Sequence, residues 1–116
     1  MHEMSLAVDV VDNVIKAALE TSARKVSTIY LTIGNGRDIV VDLFEGLIAY
    51  LSRGTIAEGA EVVMNCVPYT VCCNDCGWVY SLDIFSKKTC RCPSCGETGY
   101  TLNSGLEFWI DRIEVA

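Results

Sequence analysis

Cys73-Asn74-Asp75-Cys76-Gly77 and Cys92-Pro93-Ser94-Cys95-Gly96 decide how this chain is read. They are two Cys-x-x-Cys pairs with fifteen residues between them, and each offers two soft ligands from one tight turn. A tetrahedral Zn²⁺ takes four thiolates at about 2.3 Å, and paired motifs at this spacing are the pattern of zinc ribbons. A glycine follows each pair, where a backbone curling round the sulfurs needs positive φ. Residues 72–99 hold six of the seven cysteines and few aliphatic side chains. That is too little to build a core, so one structural Zn²⁺ per chain is expected to hold the segment together, with Trp78-Val79-Tyr80 as a small strand beside it. A catalytic zinc needs an open coordination position, and no histidine lies nearby to serve as acid or base, so turnover is not expected here. Cys72 and Cys90 are surplus. Spare thiols, alternative ligation and a disulfide formed under oxidation all stay open for them.

Outside the cysteine segment the periodicity changes. From Met4 to Ala23 the core-facing positions recur at Met4, Val8, Val11, Ile15, Ala18, Leu19 and Ser22, opposite Asp9, Asp12, Asn13, Lys16 and Glu20, which predicts an amphipathic helix. Val26–Ile33 alternates and reads as a strand burying Ile29, Leu31 and Ile33. After the Gly34-Asn35-Gly36 turn, Asp38 is expected to cap a second helix with Ile39, Val40, Leu43, Phe44, Leu47, Ile48 and Leu51 at helical spacing, stopping at Gly54. Gly46 inside that helix predicts close approach by another element. Gly59–Val71 reads as a second strand with Cys66 as a small buried hydrophobe and Pro68 at an edge or end. Gly105–Val115 reads as a third strand, with a bulge near Asp111-Arg112 where the apolar parity switches.

The chain has 116 residues, 51 % hydrophobic and 21 % charged, which fits a compact fold and disfavours disorder. Its formal net charge is −6, and four thiolates around one Zn²⁺ would make it more negative. Phosphate backbones repel such a surface, so nucleic acid is not an expected partner. No apolar run approaches the roughly 20 residues that span a bilayer. Glu3 and Asp9 stand where a signal peptide needs basic residues, so a cytoplasmic location with reduced thiols and no membrane partner is expected.

The amino terminus carries a second candidate site. His2, the only histidine, follows Met1 directly. The Met1 amine, the His2 amide nitrogen and His2 Nδ1 can close two fused chelate rings on one metal ion, and Glu3 can add its amide nitrogen or carboxylate. Nitrogen-rich, tetragonal sets of this kind suit Ni(II) or Cu(II). The plain alternative is a frayed terminus without a role.

Four stretches together resemble the HypA/HybF family: Met1-His2-Glu3-Met4-Ser5-Leu6-Ala7, Leu31-Thr32-Ile33-Gly34, Gly54-Thr55-Ile56-Ala57-Glu58-Gly59-Ala60 and the two Cys-x-x-Cys-Gly pairs. The resemblance covers essentially the whole chain. It implies a nickel metallochaperone for maturation of [NiFe]-hydrogenase or urease, not an enzyme. Ni²⁺ as transient cargo would be held by Met1, His2 and Glu3, and Zn²⁺ by Cys73, Cys76, Cys92 and Cys95. The implied fold is α+β. A three-stranded sheet with two flanking helices forms a nickel-binding domain (residues 1–70 and 104–116). A small zinc-ribbon-like domain with four cysteine ligands (71–103) is inserted between the second and third strands. Implied partners are a nickel-handling GTPase of the HypB type and the hydrogenase large subunit or urease maturation proteins, with a homodimer left open. Asn35 stands where many relatives have Glu, and the chain lacks a second histidine. Two rival readings are a zinc-ribbon adaptor that binds a protein partner without nickel transfer, and a thiol-disulfide enzyme using Cys72, Cys73 and Cys76.

Overall fold

A computed structural model describes residues 2–82 and 91–116, with His2 described by its backbone alone. The fold is α+β, and the chain forms two compact units. One comprises Met1–Thr32, Ile39–Asn65 and Trp109–Ala116; the other comprises Ile33–Asp38 and Cys66–Phe108.

In the first unit, helix α1 (His2–Glu20) packs against helix α2 (Val41–Ser52). The buried stripe of α1 is Ala7, Val10, Val11, Val14 and Ala18. It is rotated from the stripe expected on sequence, and Met4, Val8 and Leu19 stay exposed. Asp38 does not cap α2. It takes a left-handed conformation (φ 55°, ψ 45°) after the 3₁₀ turn Asn35–Arg37, and Val40 precedes the helix without a side-chain cap. Asp tolerates that left-handed geometry better than most residues.

The first sheet has the order β2-β1-β6, built from β1 (Val26–Gly34), β2 (Glu61–Val67) and β6 (Phe108–Val115). Central β1 buries Ile29, Leu31 and Ile33 on one face, as its alternation predicts, and also Thr28 and Thr32 on the other. The Thr32 hydroxyl donates to Asp111 Oδ2 at 2.7 Å and the Tyr30 hydroxyl to Glu114, while the Arg112 guanidinium lies 4.1 Å from the Tyr30 ring centroid. Asp111 and Arg112 are adjacent, yet both serve the face that Tyr30 and Thr32 share. Half-buried positions also change parity, from Phe108 and Ile110 to Ile113. The parity switch expected near Asp111-Arg112 is therefore present.

The predicted second strand is two strands. β2 ends at Val67, and after Pro68-Tyr69 the chain enters β3 (Thr70–Cys73) in a different sheet. Proline cannot donate to a ladder, so pairing stops there. Cys66 is exposed rather than buried. The second sheet, order β4-β3-β5, adds β4 (Val79–Ser81) and β5 (Tyr100–Ser104), both antiparallel to β3.

Gly46 on α2 also departs from expectation, since a Cβ built there meets nothing within 4 Å. With open space and helical backbone, Gly46→Ala should raise unfolding stability by about 1 kcal/mol through helix propensity. Urea denaturation followed by circular dichroism measures this. A loss of stability would mean that another element occupies the site.

Candidate metal centre

The cysteine pairs are placed by two turns with the same hydrogen-bond plan. In the first, Gly77 N–H donates to Cys73 O at 3.0 Å and Cys73 N–H to Trp78 O at 2.8 Å. In the second, Gly96 N–H donates to Cys92 O at 2.9 Å and Cys92 N–H to Glu97 O at 2.9 Å. Gly77 (φ 76°) and Gly96 (φ 79°) take the left-handed backbone that lets each turn close under its sulfurs. Cys73 also belongs to β3, so one turn grows from the sheet. The inner member of each pair, Cys73 or Cys92, is buried, and the outer member, Cys76 or Cys95, is exposed.

The two turns bring all four thiols together, their sulfurs lying within 4.8 Å of one another. Cys73 Sγ is 3.5 Å from Cys95 Sγ, and Cys76 Sγ is 3.5 Å from Cys92 Sγ, so the closest contacts run between the turns. A tetrahedron of sulfurs at about 2.3 Å from Zn²⁺ has edges of about 3.8 Å, so this set fits the ion with minor adjustment. Cys72 points elsewhere: it is half-buried, and its thiol lies 3.6 Å from Gly77 O and 3.8 Å from Cys73 O. Cys90 lies outside the described residues.

Protonation is uneven among Cys76, Cys92 and Cys95. Burial pushes the Cys92 thiol up, but the amides of Cys95 and Ser94 and the neighbouring thiols Cys76 and Cys73 outweigh it and bring it down to about 7. At Cys95 the Glu97 amide favours the thiolate, yet burial and the thiols of Cys73, Cys76 and Cys92 push it up to about 12. At Cys76 the Trp78 amide pulls down, and burial with Cys92 and Cys73 raises the thiol above its usual value. Without a cation Cys92 is therefore favoured as the thiolate over Cys76 and Cys95. That is how four like-charged donors within 4.8 Å behave until a divalent ion neutralises them.

The expected terminal site is only partly in view. Met1 and the His2 imidazole lie outside what is described. The His2 backbone opens α1, two residues earlier than the apolar periodicity predicts, and Glu3 is half-buried in the first turn. What the sequence pattern missed is Tyr69. It packs on the cluster of Val71, Cys73, Tyr80, Leu82 and Cys92, and nothing in its local sequence marks it.

Comparisons with known proteins converge on one family. Residues 1–115 match the profile of HypA, described as hydrogenase/urease nickel incorporation, metallochaperone. Hydrogenase maturation factor HypA of Caldanaerobacter subterraneus subsp. tengcongensis is 34 % identical over 116 residues, covering 99 % of each chain. That of Chlorobium luteolum is 34 % identical over 113 residues, covering 97 % of this chain and 94 % of its own. Among solved structures, the solution structure of a HypA protein aligns with a TM-score of 0.71 at 18 % identity, covering 100 % of this chain and 97 % of that one. The solution structure of the Ni metallochaperone HypA from Helicobacter pylori aligns at 0.62 with 17 % identity, covering 97 % and 96 %. The two structures share the fold.

The uneven thiols set a pH signature for metal uptake. Cys76 and Cys95 enter protonated at neutral pH, so binding must displace at least two protons, and Cys92 adds a third as pH falls through about 7. Zinc affinity should therefore weaken as pH falls, with log K changing by about two or more per pH unit above 7 and about one more below it. Competition with a chromophoric chelator between pH 6 and pH 8 reads this out. A pH-independent affinity would contradict tetrathiolate binding.

Proposed function

This chain belongs to the HypA family of nickel-incorporation metallochaperones, and from that premise we propose that it carries Ni(II) at its amino terminus during maturation of a nickel enzyme. The cargo ligands are the Met1 amine, the His2 amide nitrogen and imidazole, and Glu3. Cys73, Cys76, Cys92 and Cys95 hold a resident Zn²⁺ that is structural. The protein performs no turnover of its own.

The observation that carries this reading is the start of α1 at His2. An amide nitrogen must lose its proton to bind a metal, which would break a hydrogen bond in the helix interior. The amides of the first turn, that of His2 among them, have no intrahelical acceptor to lose. The positive end of the helix dipole also favours the resulting amide anion and the Glu3 carboxylate. A terminal site of this kind has few ligand bonds enclosed by rigid structure, which suits a carrier that must hold nickel and then release it by ligand exchange. The receiving partners are a GTPase of the HypB type and the large subunit of [NiFe]-hydrogenase, or urease maturation proteins. Such a carrier works in the cytoplasm, beside the enzymes it loads. No helix of the described residues is long and apolar enough to cross a membrane.

Nickel titration by calorimetry tests the site. Protein with a verified Met1 amine should bind one Ni(II) per chain. One extra residue before Met1 turns the amine into an amide, and His2→Ala removes the imidazole. Each should weaken nickel binding by about 100-fold or more, equivalent to about 2.7 kcal/mol, while zinc content stays at one per chain. Undiminished nickel binding by both variants would place the cargo elsewhere. Zinc uptake with no nickel binding in the native protein would favour the adaptor reading.

A further inference from the structure

The unit that holds the four cysteines also includes Ile33–Asp38, a short piece from the first half of the chain. This piece is joined to the segment after β5 by a dense set of bonds. Gly34 N–H donates to Glu107 O at 2.7 Å, Gly36 N–H to Gly105 O at 2.7 Å, and Arg37 Nε to Leu106 O at 2.8 Å. Glu107 Oε1 accepts the Gly105 N–H at 2.7 Å, which fixes the other side of the crossing.

The crossing works only because three of its residues lack a side chain. A Cβ on Gly34 would lie 2.1 Å from the Gly105 carbonyl carbon and oxygen. One on Gly36 would lie 2.5 Å from Tyr69 Cδ2 and 2.8 Å from the Gly105 oxygen. One on Gly105 would lie 2.6 Å from Tyr69 Cα. Tyr69 is thus wedged against both strands of the crossing. Its other contacts are with the small core of Val71, Cys73, Tyr80, Leu82 and Cys92, which contains two of the four clustered cysteines.

We infer that Tyr69 is a positioning residue of the cysteine metal centre, and that metal bound there and the Gly34–Arg37 crossing hold each other in place. This rests on the reading of the four cysteines as a zinc site. Packing supplies the link. Among the described residues the core under Tyr69 has few members, and a bound ion would tie Cys73 and Cys92, two of them, to the opposite turn. Loss of the ion lets these two relax, and the ring that they support then loosens its grip on Gly36 and Gly105. By linkage the effect is reciprocal, so disturbing the ring must weaken the metal by the same factor.

Hydrogen exchange on the full chain, zinc-loaded and chelator-stripped, tests the coupling, with zinc per chain measured on the same samples. Stripping should speed exchange at the Gly34 and Gly36 amides by about tenfold or more, within the usual range for linked sites, and leave the centre of α1 unchanged. Tyr69→Ala should bind zinc about tenfold more weakly in chelator competition and show fast Gly36 exchange even when loaded. Tyr69→Phe keeps the ring and should behave as the native chain. Gly36→Ala, which pushes the ring without removing it, should resemble Tyr69→Ala. A chain that takes up no zinc overturns the zinc reading and the coupling with it. A chain that binds zinc, yet exchanges at Gly34 and Gly36 identically with and without it, overturns the coupling alone.

Discussion

Four thiols drawn within 4.8 Å of one another set the terms for half of this molecule. Four thiolates so close repel strongly, and four thiols make only weak hydrogen bonds, so the arrangement has no reason to persist without a cation at its centre. Among the described residues of the surrounding unit the buried cluster is Val71, Cys73, Tyr80, Leu82 and Cys92, of which Cys73 and Cys92 are themselves part of the thiol set. A core of that size is typical of small zinc modules, where binding energy of about 10–16 kcal/mol is folding energy. The helical unit stands on different ground, with Phe44 and Ile48 of α2, Val10 and Val14 of α1, and Ile29 and Leu31 of β1 fully buried.

Much of this is legible in the sequence because it depends on local chemistry. Cys-x-x-Cys-Gly encodes a turn by itself, since the glycine conformation and the sulfur spacing are both local, and the two turns do share one hydrogen-bond plan. The strict alternation of Ile29, Leu31 and Ile33 likewise needs no knowledge of partners. The parity switch at Asp111-Arg112 is readable for the same reason.

The differences from the sequence expectation share another cause, because each is decided by residues distant in sequence. Whether α1 buries Val8 or Val10 depends on α2, and Gly46 marks a contact that no element makes among the described residues. Pro68 has the properties of a strand end inside one sheet, whereas it divides two sheets, and Cys66 before it faces solvent. Asp38 has the makings of a helix cap, but the sequence does not reveal the 3₁₀ turn ahead of it, which uses Asp38 in a left-handed role. Tyr69, Gly34, Gly36 and Gly105 are linked by no spacing rule, since their meeting is a crossing of remote segments.

The proposed function depends on giving two metals different chemistry. A saturated set of soft thiolates retains zinc and leaves no position for exchange. A terminal set of amine, amide and imidazole nitrogens suits Ni(II) and stays open to a competing ligand. The most direct test of this division is X-ray absorption at both metal edges, on one sample loaded with one zinc and one nickel per chain. Four sulfurs at about 2.3 Å are expected around zinc, and only nitrogen and oxygen around nickel, with the outer-shell scattering of one imidazole. Sulfur in the nickel shell, or nitrogen in the zinc shell, would contradict it.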